Sequence, residues 1–162
     1  MIDFRRSMQA VAVCAVLALL TPMVMAQGRE GATPATASTP KTHRLVLQVN
    51  SADPATMNLA LNNASNVEQN YRELGEKVEI EIVAFGPGLH MLRDDTSPVK
   101  ERLKAIAGKS AAISFKACDN TRENMGKAEA KAIPLMAEAT LVKSGVVRLI
   151  ELQEQGWAYV RP

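Results

Sequence analysis

Cys118 stands in the most suggestive place of any residue in this sequence able to bond covalently to a substrate. It follows the apolar segment Ala111 to Ala117 and precedes Asn120, a residue type that caps helices. A thiol there lies near a helix N-terminus, whose partial positive charge favours thiolate over thiol. Lys116 shares strand parity with Cys118, which puts its ammonium on the same side if the extended backbone persists. Arg122 is also close in the chain. Two readings of the thiol stand side by side. It is a nucleophile, or it is a small apolar residue packed into a core, a common fate of free cysteine.

In open α/β sheets, ligands bind beyond the carboxyl ends of the strands. Three segments meet that rule: Asn50 to Asp53, Gly86 to His90, and Cys118 to Thr121. The candidates for gripping a substrate beside Cys118 are therefore Asn50, Gly86, Gly88, Lys116, Asn120 and Thr121. Gly86-Pro87-Gly88 either brings backbone N–H groups to an anion or simply makes a tight turn. His90 is either a base near the thiol or a solvated loop residue. Asp94-Asp95 reads as a polar loop, and His43 invites no role. No metal site is expected, since the ligand-type residues lack compatible spacing. There is no G-x-G-x-x-G and no P-loop, so no nucleotide cofactor is expected either.

The elements that must position these residues follow from two alternating periodicities. Leu45 to Val49 is an apolar run of the kind a strand covered on both faces shows. Asp53-Pro54 then reads as an N-cap followed by proline at the first helical position. Met57, Ala60, Leu61, Ala64, Val67, Tyr71 and Leu74 recur at steps of three and four, and Gly75 stops the helix. Val78 to Phe85 is a second strand. Val99 to Ala107 is a weaker helix, and Ala111 to Ala117 a third strand whose small residues suit a central position. Asn120 to Lys131 is helical, with Asn120 and Glu123 at capping-box spacing. Ala139 to Val142 is a short strand. Ser144 to Gln155 is a last helix with Val146, Leu149 and Ile150 inward, and Trp157 to Val160 a closing strand. Strands alternating with helices imply an α/β domain: five strands, mostly parallel, with helices on both faces.

The N-terminus is different. Arg5 and Arg6 precede the apolar run Ala10 to Leu20, Pro22 breaks it, and Val24-Met25-Ala26 offers small or short residues for cleavage. That is the layout of a secretory signal peptide over residues 1–26. The apolar run falls short of the ~20 residues of a spanning helix, so membrane contact is expected only during export. Residues 27–42 are rich in Thr, Ala, Pro and Gly and read as a flexible linker to a domain over 43–162. The expected location is periplasmic or secreted, with the Sec and twin-arginine routes both open. Loss of Arg5, Arg6 and Asp3 would take the formal net charge from +2 to +1. That balance, with aromatics at 4%, argues against a nucleic-acid partner. Cleavage would also remove Cys14, leaving Cys118 unable to form an intramolecular disulfide. A lone thiol sent to an oxidising compartment needs a reason.

The domain resembles the DsrE/DsrF-like family of small sulfur-relay proteins. The resemblance runs from about Arg44 to Pro162 and rests on the order and spacing of several segments. These are QVNSADPATMNLALNNASN from Gln48, Val78 to Gly88, Phe115-Lys-Ala-Cys-Asp-Asn-Thr121, and Val142 to Pro162. It implies a single five-stranded Rossmann-like domain that assembles into homotrimers or homohexamers. It also implies a cysteine after the third strand, here Cys118, that accepts sulfane sulfur as a persulfide and hands it on between donor and acceptor proteins. The resulting expectation is a periplasmic sulfur carrier or sulfurtransferase. The alternative is a noncatalytic binding module for a small anion or a protein partner. A thiol oxidoreductase fits less well, because the exported chain would lack a resolving cysteine.

Overall fold

The computed structural model describes residues 41–162, so the expected signal peptide and most of the expected linker lie outside the described residues. Asp53 starts the first helix. Its carboxylate accepts the backbone N–H groups of Ala55 and Thr56 at 3.2 and 2.9 Å and the Thr56 hydroxyl at 2.8 Å. The Thr56 hydroxyl and then the two backbone donors hold that carboxyl below its ordinary range. With Pro54 in the first turn, helix α1 runs Pro54–Glu73, and Gly75 leaves it at φ +70°. The expected cap and stop are both present.

Among the described residues five strands form: β1 Thr42–Val49, β2 Lys77–Ala84, β3 Ile113–Cys118, β4 Ala139–Val142 and β5 Ala158–Val160. Their spatial order is β4-β3-β2-β1-β5, and every pairing is parallel. The α/β fold with a five-stranded sheet is as expected, with no antiparallel member. The central strand is β2 and not β3, which lies beside the edge strand β4. β1 begins at Thr42, paired with Lys77, in what reads from sequence as the end of the linker.

Alternation along the strands divides the core in two. Leu45, Leu47 and Val49 of β1, Ile80, Ile82 and Ala84 of β2, and Ile113, Phe115 and Ala117 of β3 share the larger cluster. Met57, Leu61 and Ala64 of α1 pack there, as do Leu103 of α2 (Lys100–Ala107) and Leu89, Met91 and Leu92 of a 3₁₀ segment, Gly86–Leu92. Each of the larger side chains among them contributes about 1.5–3 kcal/mol when fully buried, so this face dominates stability. The opposite face is thinner. Leu149 and Leu152 of α4 (Gly145–Glu154) meet Val46 and Val83, flanked by Phe85 and Trp157. Beside them Arg148 grips the buried Glu81 through two hydrogen bonds of 2.9 and 2.6 Å.

Two further expectations change. Only Leu149 of the three α4 residues read as inward is buried, while Val146 and Ile150 are about half exposed. One helix alone meets a narrow strip of the sheet, which Leu149 and Leu152 fill. The second change is the start of α3 (Asp119–Glu129). β3 runs directly into it, so Cys118 itself occupies the N-cap with extended backbone, and Asn120 sits inside the first turn. The capping box does not form, because Asn120 is two residues too late to cap.

Candidate functional site

Register lines up the carboxyl ends of three strands. Val49 pairs with Ala84 and Ala84 with Ala117, while Cys118 pairs with Val142 of β4. Asn50, Phe85 and Cys118 therefore stand in neighbouring positions just past one line. This is the edge where the parallel sheet is expected to offer a site.

The chain holds this edge tightly. Phe85 N–H donates to the Val49 carbonyl at 3.1 Å, carrying the β1–β2 pairing one residue further. Gly86 follows at φ +51°, a left-handed conformation that favours glycine. At Gly88 a Cβ would lie 2.2 Å from the Val49 oxygen and 2.8 Å from the Asn50 Cα, so only glycine fits. Asn50 and Gly88 thus meet through their backbones. Gly86 N–H donates to Thr121 Oγ1 at 3.0 Å, joining the end of β2 to α3. Asn120 N–H donates to the Lys143 carbonyl at 3.2 Å, joining α3 to the link between β4 and α4.

These bonds bear on anion binding. The N–H of Gly86 is taken by Thr121, that of Gly88 by Phe85 and that of Asn120 by Lys143. The backbone donors expected to cradle a ligand serve the fold instead. Lys116 lies between Val83 and Thr140 in register, two residues before Cys118 on the same strand, and forms no ion pair with any described residue. Arg122 is committed to Asp119 at 2.9 Å. His90 is engaged by Thr96 through Nδ1 at 2.9 Å and lines a shallow depression of about 430 Å³ with Gly86, Pro87, Thr121 and Met125. Cys118 does not line that depression.

Cys118 is only 4% exposed. It is less open than its place in the chain suggests, because β3, β4 and the first turn of α3 converge on it. It is nevertheless a member of neither apolar cluster. As N-cap it makes no side-chain capping bond. Sulfur is a poor acceptor beside the Ser, Thr, Asp or Asn that usually fill this position.

One group at the far end of α3 escapes sequence reading. Arg93 is 1% exposed and binds Asp95 through Nε and Nη2, each at 2.9 Å, and Glu129 at the end of α3 through both terminal nitrogens, Nη2 to Oε2 at 2.9 Å. Lys131 Nζ adds contacts of 3.0 Å to Asp95 and 3.4 Å to Glu129. Arg93 holds the Glu129 carboxyl down to about 2, and Asp95 lower still. The polar loop expected at Asp94-Asp95 is half of a clamp. Nothing in the local sequence marks it, since Arg93 and Glu129 are 36 positions apart. His43 also gains a structural role, stacked 3.8 Å from Tyr71 and bonded to Glu76 at 2.7 Å.

No family model matches the chain, and no curated protein matches it. Among solved structures it is similar to MTH1491 from Methanobacterium thermoautotrophicum, a protein of unknown function. The two are 30% identical with a TM-score of 0.63, over 74% of this chain and 99% of that one. The chain belongs to the same family as MTH1491. Among the described residues, no helix is long and apolar enough to cross a membrane, and no group of three or more His, Cys, Asp or Glu residues is placed to hold a metal ion.

Proposed function

We propose that this is an exported sulfur-handling protein in which Cys118 takes up sulfane sulfur as a persulfide and passes it on. The observation that carries this reading is the setting of the thiol. It lies at the carboxyl edge of the sheet, where β3 runs directly into the start of α3. It occupies the place where α/β sheets put their chemistry. The resemblance to the sulfur-relay family supports the same residue.

The reaction needs no external oxidant. The Cys118 thiolate attacks the terminal sulfur of a polysulfide. A new S–S bond forms as the adjacent S–S bond breaks, and the shortened polysulfide leaves with that electron pair. An acceptor thiolate then attacks the outer sulfur of the persulfide and restores the Cys118 thiolate. Lys116, two residues earlier on the same strand, is a cation suited to an anionic sulfur at position 118. Burial shields the persulfide from oxidants and restricts the donor to small molecules or to proteins that open the site.

Export with cleavage after Ala26 belongs to this reading, as does assembly into a homotrimer or homohexamer. The exposed Val146, Val147 and Ile150 on α4 support assembly, since a self-associating chain would bury them. N-terminal sequencing of exported material tests cleavage, with Gln27 as the expected first residue. Mass analysis after exposure to polysulfide tests the chemistry: one added sulfur on Cys118 is expected. The 4% exposure of Cys118 is the observation that favours the alternative, a noncatalytic module that binds a protein partner.

A further inference from the structure

Helix α1 carries five asparagines, Asn58, Asn62, Asn63, Asn66 and Asn70, although asparagine is a poor helix former beside alanine. Two of them have a structural task, since Asn58 and Asn62 accept hydrogen bonds from Arg102. The side-chain amides of Asn63, Asn66 and Asn70 bond to no described residue. Steps of three and four put these three on one face of the helix. All three line one cavity of about 470 Å³ between α1 and the edge strand β5.

The cavity follows from the layering of the sheet. α1 packs over β1 and β2, and no described helix continues on that face over β5. Ala158 and Val160 therefore stay exposed where they pair with Leu45 and Leu47. With Val78, these four side chains make an apolar floor. Val67 and the Tyr71 ring, stacked on His43, wall it from the helix side. This size, with an apolar floor and a few convergent polar groups, is usual for a small-molecule site.

Charge selects the class of ligand. No carboxylate lines the cavity, and its two basic side chains are already engaged. Arg44 pairs with Glu79 at 3.2 Å and His43 with Glu76 at 2.7 Å. What remains is three neutral amides, each able to donate and to accept. A charged ligand would give up hydration there without gaining a counter-charge. We propose that this cavity is a ligand site separate from the Cys118 edge, one that takes an uncharged, mostly apolar ring compound bearing an amide or hydroxyl. The rings rest on the β1–β5 floor, and the polar group meets the asparagines. The site goes beyond the sulfur chemistry and does not depend on it.

The test titrates the full chain with naphthamide and with its charged isostere naphthoate, following assigned NMR signals. Naphthamide is expected to give saturable shifts at the His43 and Tyr71 rings and at the Ala158 and Val160 amides. Naphthoate should bind about tenfold more weakly or not at all. Ala158→Phe fills the cavity from an exposed position and should abolish binding. Asn63→Ala with Asn66→Ala improves helix propensity, so α1 stays formed, and should weaken naphthamide about fivefold through a lost hydrogen bond. Equal binding of naphthoate, or unchanged affinity in either variant, would overturn the assignment. Shifts centred on Val146, Val147 and Ile150 would reduce it to adsorption on an apolar patch. Absence of saturable shifts would also overturn it, and a smaller sedimenting species for Ala158→Glu would then give the groove to a second copy of the chain.

Discussion

Thr121 receives the backbone N–H of Gly86 at 3.0 Å, and this bond fastens the end of β2 to the first turn of the helix that Cys118 caps. Two residues expected to bind a substrate are thereby bound to each other. Thr121→Val keeps the shape and removes the acceptor, leaving a partly buried N–H unpaired. The expected cost is about 1 kcal/mol, with faster hydrogen exchange at Gly86. An unaltered denaturation midpoint and unaltered exchange at that amide would show the bond to be incidental.

Gly88 is fixed by contact and not by conformational freedom. Its missing Cβ would fall 2.2 Å from the Val49 oxygen, so β1 or the 3₁₀ segment would have to shift. Gly88→Ala should destabilise the domain by about 3 kcal/mol, at the upper end for overpacking. Gly86→Ala should cost about 1 kcal/mol, because the space is open and only the left-handed backbone resists. Urea denaturation of the two variants checks the order.

The Arg93 clamp predicts an acid limb. Glu129 and Asp95 have folded pKa values held below their ordinary ones by Arg93. A carboxyl lowered in this way stabilises the fold at pH values above its ordinary range, and that stability is lost as pH falls through its folded value. Wild-type stability should therefore decline from about pH 5 down to about 2. Arg93→Met removes the cause, so its acid limb should be flatter. At neutral pH that variant should lose about 2–3 kcal/mol, a buried-pair cost discounted for carboxylates that remain partly exposed. An acid limb as steep as that of wild type would contradict this assignment.

On the thinner face, Leu149 and Ile150 separate packing from assembly. Leu149→Ala should cost about 2–4 kcal/mol, because its side chain meets Val46 and Val83. Ile150→Glu changes a half-exposed position and should leave a folded subunit. If the domain self-associates through α4, that variant should sediment as a smaller species than wild type. A monomeric wild type at micromolar concentration would refute the proposed trimer or hexamer.

Much of this architecture was legible because local signals agreed with tertiary ones. Asp53-Pro54 and Gly75 bracket α1 in sequence and in space, and the apolar runs of β1 and β2 are buried on both sides. Three features were hidden for separate reasons. Asn120 and Glu123 imitate a capping box, but β3 continues through Cys118 and places the cap earlier. Val146 and Ile150 share the spacing of an inward stripe, yet α4 has only a narrow strip of sheet to cover. The Arg93–Glu129 clamp and the Arg148–Glu81 pair join residues 36 and 67 positions apart, beyond any local pattern. At the site, Cys118 was legible by position, and the commitment of the neighbouring N–H groups was not.

The measurement that bears most directly on function is the intact mass of the folded protein after exposure to polysulfide, with peptide mapping to separate Cys118 from Cys14. Wild type and Cys118→Ala are compared, and urea denaturation confirms that the variant folds. The sulfur-carrier account predicts one added sulfur on Cys118 of wild type, removed by a small thiol acceptor, and none at position 118 of the variant. Wild type that gains no sulfur on Cys118 would contradict it.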